Sequence, residues 1–234
     1  MMFAQTTRPS VAAYTPSAPQ MPPTAQPQQF AVETRGVTKR YGRQTVVNQL
    51  DLAVPSGGVY GFLGPNGAGK STTMKMLLGL AKPTTGEVRV FGRDLRANRA
   101  DILPRIGSLI EGPAFYPHLT GAQNLRIVAD YLSCDKSSVD AVLDIVGLTD
   151  AAGKRARQYS LGMKQRLGIA MALISDPELL LLDEPTNGLD PAGVAEIRNL
   201  IVRLAHDRGI TVMVSSHLLS EIEQMADIVG IIQS

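Results

Sequence analysis

Residues 59–80 read VYGFLGPNGAGKSTTMKMLLGL, and this stretch decides the fold class of the chain. The apolar run 59–63 predicts a short buried strand, and 71–80 predicts the helix that follows it. Between them, 64–71 matches the phosphate-loop pattern G-x4-G-K-[ST] at each fixed position. A chance glycine-rich turn is the alternative, but the strand before the loop and the helix after it argue against one. The stretch therefore predicts a phosphate-loop nucleoside triphosphatase.

The residue types in this loop suit a triphosphate. Gly64, Gly67 and Gly69 permit positive φ angles, which lets successive backbone N–H groups point at phosphate oxygens. Lys70 supplies a positive charge for the β- and γ-phosphates, and Ser71 offers a hydroxyl to Mg²⁺. The helix that begins at Ser71 directs its positive end toward the same anion. The predicted nucleotide-binding residues of the loop are Gly64, Pro65, Asn66, Gly67, Ala68, Gly69, Lys70, Ser71 and Thr72.

Strands and helices alternate on both sides of the loop. Further strands are predicted at 46–54, 86–92, 179–182, 210–214 and 228–232, and helices at 122–132, 138–146, 191–206 and 217–225. The segment 112–160 is predicted to be a helical insertion. Such alternation predicts a mostly parallel sheet that is covered on both faces, which is an α/β fold.

Composition limits the remaining possibilities. The chain has 234 residues and a net charge of +2, which gives little support to nucleic-acid binding. Its single cysteine, Cys134, excludes an internal disulfide and fits a reducing cytoplasm. No apolar run approaches the ~18 residues that a membrane span requires. Residues 1–31 are rich in Pro and Gln and lack periodicity, so we expect a disordered tail before a single domain at 32–234.

Two carboxylates follow the apolar strand at 179–182. Asp183 is placed to hold the Mg²⁺ shell, and Glu184 to accept a proton from an attacking water. A solvated turn explains an Asp-Glu-Pro sequence equally well, and only the phosphate loop favours the catalytic interpretation. Asp190, followed by Pro191, has the pattern of a helix N-cap, which needs no further function.

Four motifs in order then carry a family resemblance. The motifs are GPNGAGKST (64–72), YSLGMKQRLGIA (159–170), LLLLDEPTNGLD (179–190) and SSH (215–217). Together they resemble the nucleotide-binding domain of ABC transporters, over about residues 33–234. The resemblance implies a phosphate-loop core with a mostly parallel sheet, a small antiparallel β subdomain and a helical insertion.

The resemblance also implies roles for residues outside the phosphate loop. Tyr41 corresponds to the aromatic residue that stacks on adenine, and His217 to the switch histidine near the γ-phosphate. Ser160 and Gly162 correspond to the signature segment, which faces the nucleotide held by a second copy. Asp190 corresponds to the loop that couples the two sites.

Two departures from the family pattern narrow the resemblance. The signature reads SLGMKQ, with Leu161 and Met163 in place of a glycine and a glutamine. Glu111 stands where most members have a glutamine that contacts the catalytic Mg²⁺, so Glu111 joins Ser71 and Asp183 as a predicted metal ligand. With the run IEGPAFYPHLTGAQNL (110–125), these features resemble the ATPases of bacitracin- and lantibiotic-type export or immunity transporters.

The resemblance predicts an ATP- and Mg²⁺-dependent ATPase in which Lys70, Glu184 and His217 are catalytic. Two copies would form a head-to-tail dimer bound to an integral membrane permease, peripherally at the cytoplasmic face of the membrane and without nucleic acid. Related subunits continue beyond the final strand, so we expect a shortened C-terminus. The alternatives are a soluble ABC ATPase that acts on ribosomes or DNA, and a phosphate-loop kinase. The first generally has two such domains or a long coiled coil, and the second lacks the signature motif.

Overall fold

The computed structural model describes residues 30–233. The expected disordered tail lies outside these residues, except for Phe30 and Ala31. Both belong to the first strand, and Ala31 is fully buried. The domain therefore begins two residues before the predicted boundary, because Ala31 contributes to the core.

A small antiparallel sheet contains β1 (Phe30–Tyr41), β2 (Gln44–Pro55), β4 (Thr85–Val90) and β5 (Arg93–Asp94). Its strand order is β2-β1-β4-β5, so the expected antiparallel subdomain is confirmed. The sequence pattern did not reveal β1. Its register shifts between Thr34 and Val37, and such bulges interrupt the two-residue alternation by which a strand is recognised.

A second, five-stranded sheet forms the centre of the domain. It contains β3 (Val59–Leu63), β6 (Ile106–Leu109), β7 (Leu179–Asp183), β8 (Thr211–Ser216) and β9 (Ile228–Ile231). Its strand order is β6-β7-β8-β3-β9 and the pairs are parallel, as predicted. Strand β6 lies outside the segments that the sequence predicts to be strands.

Both faces of the parallel sheet are covered, as the unbroken burial of β7 and β8 shows. Leu180 and Leu182 point to a core shared with α5 (Leu161–Leu173) and α6 (Pro191–His206). Leu179 and Leu181 point to the other core, where α1 (Lys70–Leu77) and the antiparallel sheet pack. Successive side chains of β7 thus contribute alternately to the two cores.

The regular elements between 112 and 160 are helical. They comprise α3 (Gly121–Tyr131), α4 (Ser137–Ile145) and two short 3₁₀ turns, Thr149–Ala151 and Ala156–Gln158. Thr120 and Gln123 form a capping box at the start of α3, which satisfies two N–H groups that would otherwise lack a partner. A four-residue helix, α2 (Arg99–Ile102), lies outside this segment.

The prediction of a helix at 217–225 is mostly wrong. Only α7 (Leu219–Ile222) is helical, because Leu218 has an extended backbone and its N–H donates to the side chain of Ser216 rather than continuing a helix. His217 is consequently in a loop after β8. In the 30–233 part of the chain, no helix combines the length and apolarity needed to cross a membrane.

Close packing between β6 and α5 provides a test of this arrangement. A Cβ atom at Gly107 would overlap the backbone carbonyl oxygen of Ala172, whereas a Cβ at Gly153 would meet nothing within 4 Å. Since backbone cannot move aside as a flexible side chain can, we expect Gly107→Ala to lower the free energy of unfolding by about 1–3 kcal/mol. Urea unfolding measures this, with Gly153→Ala as the control. Equal stability of the two variants would contradict the packing described.

Candidate nucleotide-binding site

The strand order places three functional segments side by side. Strand β8 lies between β7 and β3, and all three run in the same direction. The phosphate loop follows β3, Glu184 follows β7 and His217 follows β8. Their carboxyl ends therefore meet at one edge of the sheet, where α/β folds bind ligands.

The glycines of the loop have different roles. Gly67 and Gly69 have φ angles of 85° and 99°, which L-residues with side chains rarely adopt. Our expectation of a positive φ at Gly64 is wrong. A Cβ there would lie 2.6 Å from the carbonyl oxygen of Ile232, so Gly64 is required for close backbone approach.

The loop surrounds an open cleft of about 210 Å³. Most of its lining is phosphate loop, which directs backbone N–H groups and the start of α1 at any anion in it. The lining residues are Val46, Asn66, Gly67, Gly69, Lys70, Ser71, Thr72 and Glu184. Glu184 thus lies beside the phosphate loop. Val46 on β2 also lines the cleft, and the sequence did not predict this contact.

Lys70 lines this cleft with 5% of its surface exposed. Its ammonium group donates hydrogen bonds to the carbonyl oxygens of Gly64, at 2.7 Å, and Pro65, at 3.2 Å. It also lies 3.1 Å from Oε1 of Glu184. That carboxylate oxygen is buried and accepts no hydrogen bond, so the contact is an ion pair. These oxygens offset the cost of removing the ammonium group from water.

Glu184 joins Lys70 to His217. Its second oxygen, Oε2, lies 2.7 Å from Nδ1 of His217, a distance at which an Nδ1–H group donates to the carboxylate. The backbone of Glu184 has a φ of 49°, in the left-handed region. For a residue with a side chain this conformation costs roughly 1–3 kcal/mol. Strain at this position accompanies the convergence of all three predicted catalytic side chains.

A serine to which the sequence assigns no role contacts both acidic residues. The fully buried Ser215 donates from Oγ to Oδ1 of Asp183 at 2.7 Å and accepts the backbone N–H of Glu184 at 2.9 Å. The only sequence signal was its position in the SSH motif, next to Ser216 and His217. Because β7 and β8 pair in register, Ser215 lies opposite Asp183.

The predicted metal ligands fall in two groups. Ser71 is among the residues that line the cleft, and Asp183 ends β7. A hydroxyl and a carboxylate suit Mg²⁺, which takes few protein ligands and keeps water and phosphate oxygens as the others. Within residues 30–233, no three His, Cys, Asp or Glu side chains form a metal cluster on their own. The donor set therefore fits a magnesium ion that arrives with a nucleotide.

Glu111 contacts a different partner from the one expected. Its carboxylate pairs with Lys75 on α1, and its backbone has a φ of 60°. The hydrogen bond and the charge of Glu111 raise the pKa of Lys75 above its ordinary value. The structure brings Glu111 to the helix that follows the phosphate loop, and metal binding by Glu111 stays a prediction.

Tyr41 ends β1 with half of its surface exposed. The ammonium group of Lys39 lies 4.7 Å from the centre of its ring, as a cation–π contact. Adenine stacking by Tyr41 stays a prediction.

The signature residues lie apart from the cleft. Ser160 caps α5 by accepting the N–H of Met163 at 3.2 Å, and neither Ser160 nor Gly162 is among the described residues that line the cleft. Asp190 caps α6 through the N–H of Gly193, as its sequence pattern predicted. The two segments adjoin, since a Cβ at Gly162 would meet Leu189 at 4.0 Å.

A larger cleft, of about 660 Å³, lies at the other end of the sheet, where β7 and β8 begin. Its charged groups are largely paired with each other: Arg105 with Glu178 at 2.6 Å, and Arg208 with Asp176 at 3.7 Å. The hydrogen bond from Arg105 lowers the pKa of Glu178 below its ordinary value. The larger volume of this cleft therefore does not make it the nucleotide site. The smaller cleft is lined by the phosphate loop, whose backbone N–H groups suit an anion.

Comparison with known proteins agrees with this geometry. The family described as ABC transporter matches residues 47–187. The chain is 52% identical to the bacitracin transport ATP-binding protein BcrA of Enterococcus faecalis, over 87% of this chain and 66% of that protein. It is 45% identical to the lantibiotic transport ATP-binding protein SrtF of Streptococcus pyogenes, over 86% of each chain. The chain thus spans slightly less than two thirds of the bacitracin relative.

Solved structures show the same fold. One is cbiO1 from Clostridium perfringens, described as part of an ABC transporter complex, with a TM-score of 0.80 and 25% identity over 88% of this chain and 86% of that one. Another is an ATP-binding cassette described as a dimer in a post-hydrolysis state with ADP and Pi, with a TM-score of 0.76 and 25% identity over 86% of this chain and 94% of that one. By its motifs, its fold and these matches, the chain belongs to the ABC transporter ATP-binding family.

Proposed function

We propose that this chain binds and hydrolyses ATP as the energy-supplying subunit of an ABC transporter that exports antibiotic- or peptide-type substrates. The contact of Glu184 with both Lys70 and His217, beside the phosphate-loop cleft, is the observation that carries this proposal. An acid placed next to an anion site, with a histidine that orients it, suits the activation of a water molecule.

ATP binding would change the partners of Lys70. The loop carbonyls and Glu184 now hold its ammonium group, and the β- and γ-phosphates would replace part of this set. Glu184 would then be free to accept a proton from the attacking water, while His217 fixes the carboxylate. Ser71 and Asp183 would hold Mg²⁺, which when bound neutralises charge that develops on the phosphates.

A second copy of the chain is the proposed partner across the cleft. The exposed Ser160 and the neighbouring Gly162 lie at the N-terminus of α5, whose backbone N–H groups suit an anion. They lie apart from the cleft of their own chain, and a relative of the same fold has been solved as a dimer with ADP and Pi. The nucleotide of one copy would therefore meet the signature segment of the other, with Asp190 between the two sites.

An integral membrane subunit is the second proposed partner, and the chain would lie peripherally on the cytoplasmic face of the membrane. The segment 111–120 and helix α3 expose large apolar side chains, including Tyr116 at 53% and Tyr131 at 86%. Where exposed apolar side chains adjoin, they are typical of a protein interface. The names of the bacitracin and lantibiotic relatives support the substrate class.

Two substitutions separate ATP binding from turnover. Lys70→Ala should abolish tight ATP binding, because it removes the phosphate-directed charge. Glu184→Gln should keep ATP affinity and lower kcat at least about a hundredfold, since an amide cannot accept the proton. Calorimetry and phosphate release measure these quantities, with Lys154→Ala and Glu87→Gln as exposed controls. Unchanged affinity in the first variant, or normal turnover in the second, would show that the role assignment is wrong.

Co-purification tests the transport role. In a detergent extract, the chain should elute with a multi-span membrane protein that mass spectrometry identifies. Tyr116→Asp should weaken this association, because it puts a charge into the exposed apolar surface. Ile228→Asp, at an exposed position on β9 at the opposite edge of the sheet from β6, should not. Recovery of the chain with ribosomes or nucleic acid instead would favour the soluble alternative.

A further inference from the structure

A carboxylate outside the predicted site connects the two loops that carry Glu184 and His217. Glu221 lies on α7, four residues after His217. Its Oε2 accepts a hydrogen bond from Oγ1 of Thr186 at 2.7 Å and another from Oγ of Ser216 at 3.0 Å. One oxygen atom thus links the loop after β7 to the end of β8.

The donors to Glu221 lie next to the catalytic candidates. Thr186 is two residues after Glu184, and Ser216 immediately precedes His217. Thr186 is 4% exposed and Ser216 is 1% exposed, so both hydroxyls are shielded from water. Removing the shared acceptor would leave two buried donors without a partner, which destabilises this arrangement.

The contact also determines the course of the chain at His217. The hydroxyl of Ser216 accepts the backbone N–H of Leu218 at 3.0 Å while donating to Glu221. This arrangement keeps Leu218 extended and His217 outside the helix. Glu221 therefore influences the direction from which His217 reaches Glu184.

The helix that carries Glu221 is itself fixed to the sheet. Ile222 is fully buried, and a Cβ atom at Gly61 on β3 would overlap its side chain. Strand β3 leads into the phosphate loop. Helix α7 and the hydrogen bonds of Glu221 thus connect the loops that carry Glu184 and His217 to the strand before the phosphate loop.

We propose that Glu221 is a positioning residue for ATP hydrolysis, which holds Glu184 and His217 at their 2.7 Å contact through the hydroxyls of Thr186 and Ser216. This inference rests on the proposed ATPase function. Glu221 is not among the described residues that line the cleft, so it acts on the orientation of the reacting groups and not on ATP affinity.

Substitutions that keep or remove each hydrogen bond test the proposal in the full chain. Glu221→Met removes the acceptor at similar length, and Thr186→Val removes a donor at similar volume. Because small misplacements near reacting groups can cost up to about a hundredfold in rate, we expect each to lower kcat about tenfold to a hundredfold. The KM for ATP and the ATP affinity should change by less than about twofold.

Conservative variants and a neighbouring control distinguish positioning from a structural role. Glu221→Gln keeps an oxygen that accepts both hydrogen bonds, and Thr186→Ser keeps the donor, so both should retain most of kcat. Glu223→Met, at an exposed position two residues further on, should match the wild type. The double variant Glu221→Met/Thr186→Val should lose no more rate than Glu221→Met alone, because that substitution already removes the hydrogen bond of Thr186.

The outcomes separate this inference from the proposed function. If the wild type does not hydrolyse ATP, the proposed function fails. If the wild type is active and folded Glu221→Met and Thr186→Val variants keep its kcat, the inference about Glu221 fails alone. Glu221→Gln as impaired as Glu221→Met would also overturn it. Should Glu221→Met not fold, the comparison of Thr186→Val with Thr186→Ser decides.

Discussion

The ammonium group of Lys70 lies almost out of water, where two loop carbonyls and the carboxylate of Glu184 surround it. A buried charge of this kind is tolerated only when it is paired, and its pairing requires that the loop after β3 meets the end of β7. Strand β8 separates these strands, so the contact forms only when β7, β8 and β3 lie in that order. The site therefore depends on the order of strands in the sheet as much as on the phosphate-loop motif.

The strained backbone of Glu184 is supported from the neighbouring strand. Ser215 accepts its N–H, His217 contacts its carboxylate, and Glu221 connects the loops that flank both. Each contact comes from β8 or the short segment after it. The contacts that position the catalytic candidates thus lie together after the ends of β7 and β8. ATP would change these contacts, because its phosphates would replace Glu184 as a partner of Lys70.

Local signals explain which parts of this structure could be predicted. Helix α6 begins and ends at the predicted residues, because Asp190 and Pro191 define its start and its apolar face is regular. Bulges interrupt the alternating pattern of β1, so the sequence did not predict that strand. The predicted helix does not include His217, because the hydroxyl of Ser216 accepts the N–H of Leu218. The resemblance to the family predicted that Glu184 and His217 belong to one site. The sequence did not predict the contacts of Glu111 with Lys75 or of Glu221 with Thr186, since residues 36 and 35 positions apart leave no local pattern.

We propose that the cleft is one half of a site that a second copy of the chain completes. The most direct measurement is the mass of the Glu184→Gln variant in solution with and without Mg²⁺ and ATP, by light scattering. Since this variant should bind ATP without hydrolysing it, we predict twice the 25.0 kDa of one chain with ATP and a single chain without it. A mass of one chain at saturating ATP would contradict the shared site.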